Sequence, residues 1–134
     1  MFFYKNNAVI IIVINSGNIR VKKLADYIFE KLPLEKPIKL IQRDLKDCFG
    51  YCLEQDDTYL IVIHKSAPYY VKIDTLLHEY AHAITMSNDK YKDRDENSQH
   101  NTYWGECYAK TYRTYLTFAN RNKSGTDKDG EKSD

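Results

Sequence analysis

The sequence predicts a single α+β domain, in which an N-terminal helix and a small, mostly antiparallel sheet pack on a central helix and a C-terminal helix. Three observations lead there. Short β-branched runs bounded by turn residues fill much of the first half; apolar residues recur at helical spacing in three longer segments; and 134 residues at 43% hydrophobic suffice for one core.

In chain order, Val9 to Ile14 is a continuous apolar run ended by Asn15-Ser16-Gly17-Asn18, which reads as a buried strand and a turn. Val21, Leu24, Ile28 and Leu32 follow at helical spacing until Pro33 stops this first amphipathic helix. Pro37 opens a second extended stretch, Ile38 to Ile41. Cys48 to Glu54 and Thr58 to His64 then flank Gln55-Asp56-Asp57 as a hairpin, with Thr58 to His64 as the edge strand. Pro68 precedes the central helix, Val71 to Met86, and Ser87 to Gln99 is a polar loop. The last helix runs from Thr102 to Asn120 with an apolar stripe of Trp104, Tyr108, Tyr112, Tyr115 and Ala119. From Asn122 onward the chain has no apolar residue, so the domain is expected over 1–120 and a disordered polar tail over 121–134.

Charge narrows the classes of function. The 20 basic and 19 acidic residues leave a net +1, so no global field draws the chain to nucleic acid or to an anionic membrane. The apolar stretch near Met1 lacks the charged start and cleavage site of a signal peptide and is too short to span a bilayer, which predicts a cytoplasmic protein with no membrane partner. Cys48, Cys52 and Cys107 form no CxxC pair, as suits reduced thiols; packing of Cys48 and Cys52 in or beside a strand is favoured over metal binding.

The chemistry concentrates in His78-Glu79-Tyr80-Ala81-His82, an HExxH pattern inside an apolar helical segment. Two imidazoles four residues apart project from one helix face about one turn apart, close enough to share a zinc ion, with the glutamate beside them. At about a hundred degrees per residue, Ile73, Leu77, Tyr80, Ala81 and Ile84 group on one face while His78, Glu79 and His82 take an adjacent sector. Core face and chemical face are separate, as an active-site helix requires.

A catalytic zinc takes three protein ligands and leaves a position open. His64, Glu96, His100 and Glu106 are candidates for the third. If Trp104 and Tyr108 turn inward, His100, one turn earlier, falls on the inward side and Glu106 lies opposite with Lys110 and Arg113, an i,i+4 partner of Lys110. Helical phase therefore favours His100 and leaves Glu106 as the main alternative.

These residues resemble the SprT-like zinc metallopeptidase domain, including the Spartan proteases. The resemblance rests on His78-Glu79-Tyr80-Ala81-His82-Ala83, a polar loop carrying Asn88-Asp89-Lys90 and Asp93-Arg94-Asp95, and His100-Asn101 followed by Trp104. In motif it covers Leu76 to about Tyr112, in architecture Val9 to Tyr115. It implies a zincin-like minimal metallopeptidase fold, with the third ligand at His100, the histidine of an HGxx(F/W)-like segment in which Asn101 replaces the usual glycine. The run Trp104 to Arg113 also looks like the WGxxYAxxYR segment of small phage or mobile-element proteins. Nothing after Asn120 matches the cysteine-rich ribbon or DNA-binding extension that family members often carry, so DNA is a partner by resemblance only.

The expected activity is zinc-dependent hydrolysis of peptide bonds in a protein or peptide substrate by a monomer. Zn²⁺ on His78, His82 and His100 activates water, Glu79 acts as general base, and Tyr103 or Tyr108 are candidate oxyanion donors. Two other classes compete: an ImmA/IrrE-like gluzincin with Glu106 as third ligand that cleaves a repressor, and a noncatalytic zinc-stabilised binding module. The intact Glu79 speaks against the latter, because a structural site needs ligands but no base.

Overall fold

The computed structural model describes residues 11–14, 18–88 and 100–129, with side chains described over 18–88 and 100–121. The elements run β1 (Ile11–Ile14), α1 (Ile19–Lys31), β2 (Ile38–Arg43), β3 (Gly50–Glu54), β4 (Tyr59–His64), α2 (Tyr69–Met86) and α3 (Thr102–Asp129), an α+β arrangement. Residues 9–10 of the first expected strand, residues 89–99 of the polar loop and the last five of the tail lie outside the described residues. Helix α3 continues through the segment expected to be disordered, as far as Asp129. No helix among the described residues is long and apolar enough to cross a membrane.

The sheet corrects the expected pairing. Its order is β1-β2-β4-β3; β1 pairs parallel with β2 and β2 parallel with β4, and only β3 pairs antiparallel with β4. The sheet is therefore mixed, not mostly antiparallel. The reason is local: β1 and β2 are joined through a whole helix, the crossover that parallel neighbours need. The hairpin is present, but the strand 59–64 lies between β2 and β3, so the edge strand beside the central helix is β3 and not the segment Thr58 to His64.

Burial explains the stacking. In β2, Ile38, Leu40 and Gln42 are buried while the alternate positions are more exposed, the period of a sheet covered chiefly on one face. Val21, Leu24, Ile28 and Phe29 of α1, Ile61 and Ile63 of β4, and Leu76, Leu77 and Tyr80 of α2 form one continuous core. Helix α2 lies against β3 and β4 and also against α3. At Gly50 any Cβ would collide with the Thr75 methyl of α2 and the Val62 carbonyl, so only glycine lets β3 come this close to the helix.

Asn18 starts α1 by accepting the backbone N–H groups of Arg20 at 2.8 Å and Val21 at 3.2 Å. Asn101 does the same for α3, accepting the Trp104 N–H at 2.9 Å. That cap fixes the chain direction immediately after His100.

Candidate metal centre

Tyr80, in the middle of the HExxH pattern, anchors it to the core. The side chain is fully buried, its ring lies 4.8 Å from that of Phe29, and its hydroxyl donates to the Leu32 carbonyl at 2.5 Å. Both halves of a bulky amphipathic side chain are thus satisfied. With Tyr80 and Ala81 held inward, the 3.6-residue period turns His78, Glu79 and His82 out of the core, and all three are half-buried.

Helix α3 closes the site from the other side. Thr111, fully buried, sits between the carbonyls of Leu77, 3.1 Å away, and Tyr108, 2.8 Å away, stitching α3 to the turn that carries His78. His100 precedes the first turn of α3 and reaches the two histidines of α2: its Nε2 is 3.3 Å from His78 Nε2 and 3.2 Å from His82 Nε2. One ligand atom from each of the three residues lies within 4.8 Å of the others, close enough to hold a metal ion.

The other candidates fall elsewhere. Glu106 is exposed on α3. His64 accepts the Leu45 N–H on Nδ1 at 2.9 Å and lies near the Phe49 ring, away from the cluster. Glu96 lies outside the described residues. Cys48 is exposed and Cys52 half-buried, and among the described residues neither joins a metal-ligating group.

Trp104 makes an aromatic wall behind the cluster. Its ring centroid is 4.6 Å from that of His100, 4.9 Å from His78 and 5.4 Å from His82. Tyr108 stacks on it at 5.2 Å and 8°, and the Tyr108 hydroxyl donates to Asp74 at 2.5 Å. Sequence reading overlooked Asp74; its position one turn before His78 on the same face was the available signal. With its proton committed to Asp74, Tyr108 has a phenol pushed up to about 12, the bond to the carboxylate being the main cause. Tyr103 is engaged as well, accepting from Asn88 Nδ2 at 3.0 Å. The indole Nε1 of Trp104 is buried with no partner among the described residues.

Electrostatics match a site built for a cation. Burial lowers the His78 imidazole and takes His82 down to about 4, and in both the neighbouring imidazoles add to the effect. His78 and His82 thus disfavour their own protonation, and their Nε2 atoms face that of His100. Burial alone raises Glu79 to about 7, and the Cys52 thiol on β3, itself raised mainly by burial, senses the Glu79 charge. Glu79 thus stands on the side of α2 nearest the edge strand, tuned close to neutrality.

Comparison of the chain with protein-family models, with curated proteins and with solved structures finds no match. The functional reading therefore rests on the residues and geometry of the site.

Proposed function

We propose that the protein is a zinc-dependent metallopeptidase of the SprT-like kind, with His78, His82 and His100 as ligands and Glu79 as general base. The convergence of the three Nε2 atoms carries this reading. A tetrahedral zinc with Zn–N bonds of about 2.0–2.1 Å has nitrogen–nitrogen edges of about 3.3–3.4 Å. The observed separations of 3.2 and 3.3 Å fit that edge length. His78, His82 and His100 would hold the zinc, which would supply Lewis acidity toward water and a carbonyl oxygen.

The residues do the rest. Glu79, near neutrality, accepts a proton from the attacking water and returns it to the leaving amine. Trp104 and Tyr108 keep water off one side of the imidazoles and limit their rotation. Among the described residues β3 pairs with a strand on one side only, and its other edge offers backbone groups to an extended substrate, a strand addition that accepts many sequences. A cytoplasmic location and a monomeric state accompany this reading, with DNA a partner by family resemblance only.

The test is Glu79→Gln. The variant retains zinc and fold, because the amide keeps the shape, and loses hydrolysis of unfolded protein substrates by about 10²–10⁴-fold, because it cannot accept the proton. Undiminished cleavage by this variant removes Glu79 from the chemistry, and a wild type that binds zinc yet cleaves nothing supports the binding module instead.

A further inference from the structure

A groove of about 290 Å³ opens between the first half of α2 and the middle of α3, next to the metal centre. Its walls are four tyrosines, Tyr69, Tyr70, Tyr112 and Tyr115, over a floor of Ile73 and Leu77, with Asp74 as the one charged residue in the lining. Tyr70 is 74% exposed and Tyr112 47%, so these two side chains stand open to solvent, whereas Tyr69 and Tyr115 are half-buried.

Asp74 gives the groove its sign. One carboxylate oxygen accepts the Tyr108 hydroxyl, and among the described residues Asp74 forms no ion pair. Tyrosine faces carry negative electrostatic potential and attract cations. The same ring chemistry already operates inside the molecule, where the Arg20 guanidinium lies 3.9 Å over the Tyr69 ring. An apolar guest would cover the rings but strip water from an unpaired carboxylate, and an acidic guest would be repelled. The positive end of α2, at Tyr69, opposes a cation with about half a charge, whereas Asp74 offers a full one deeper along the helix.

We propose that this groove binds a lysine or arginine side chain of the polypeptide substrate, held by the tyrosine faces and neutralised by Asp74. Asp74 precedes His78 by one helical turn, about 5–6 Å along the axis. The bound residue therefore lies within one or two positions of the bond to be cleaved. That placement rests on the hydrolase reading; the binding does not.

Binding is measured by nuclear magnetic resonance titration of the full-length Glu79→Gln protein with three blocked tripeptides, glycine flanking lysine, norleucine or glutamate. The lysine peptide should bind about five- to thirty-fold more tightly than the norleucine peptide, with the glutamate peptide weakest. Adding Asp74→Asn, whose amide oxygen can still accept from Tyr108, should bring the lysine-to-norleucine ratio near one. Tyr112→Leu, at an exposed helix position, should weaken the lysine peptide more than the norleucine peptide. Equal or tighter binding of norleucine, a ratio unchanged by Asp74→Asn, or no binding of any of the three overturns the assignment. If the wild type hydrolyses unfolded proteins while the peptides show no lysine preference, the groove fails and the hydrolase stands. Lysine-selective binding by a protein that hydrolyses nothing leaves the groove standing and removes the hydrolase.

Discussion

Glu79 sits at the centre of the residue-scale account because one property, burial, fits it for proton transfer while costing stability. Its carboxyl is raised to about 7 from the ordinary value of 4.5, so between those pH values the unfolded chain ionises first and the metal-free folded state loses stability as pH rises. Glu79→Gln should therefore raise the melting temperature of metal-free protein at pH 8 and leave it nearly unchanged at pH 4. Thermal denaturation of both proteins at the two pH values checks this; an equal shift at both would assign the effect to packing. His82 has the opposite sign. Its folded value of about 4 lies below the ordinary 6.5, so the stability associated with its neutral form is present above pH 6.5 and is lost as pH falls through that window toward 4.

Elements, not single side chains, deliver the third histidine. Asn101 caps α3 through the Trp104 N–H and so fixes the approach of His100. Asn101→Ala should cost about 1 kcal/mol of stability and weaken metal binding, while Asn101→Asp should keep most of both. Chemical denaturation with and without zinc measures the two effects separately. The sequence carried much of this level: the HExxH face follows from helical phase, and the inward position of His100 follows from extending the phase of Trp104 and Tyr108 backward by one turn. Less legible was which aromatic residues are buried. Tyr112 belongs to the predicted stripe yet stands 47% exposed, while the buried positions of α3 include the small Cys107 and Thr111, the latter meeting the Leu77 carbonyl of α2. Apolarity alone does not reveal that a hydroxyl between two carbonyls can seal a helix contact. Asp74 was missed for a similar reason, since its partner Tyr108 is 34 residues away in sequence.

For the whole molecule, the sheet order was the least legible feature, as local alternation identifies strands but not their neighbours. The hairpin suggested a mostly antiparallel sheet, whereas the helix between β1 and β2 makes that pair parallel, and the insertion of β4 between β2 and β3 leaves β3 at the edge. The close approach of β3 to α2 depends on Gly50, and Gly50→Ala should destabilise the fold by about 1–3 kcal/mol, read from denaturant midpoints. The three histidines come from α2 and from the residue before the start of α3, so an ion held by them would stabilise the packing of these two helices. At a free zinc concentration a hundredfold above its dissociation constant the gain is about 2.7 kcal/mol, lost on chelation or acidification. Zinc affinity by chelator competition at neutral pH, in the wild type, His100→Ala and Glu106→Ala, tests the central claim most directly. One zinc per wild-type chain is expected, with a loss of about a hundredfold or more in affinity for His100→Ala and almost no change for Glu106→Ala. A large loss in Glu106→Ala with little in His100→Ala would contradict it and make the protein a gluzincin.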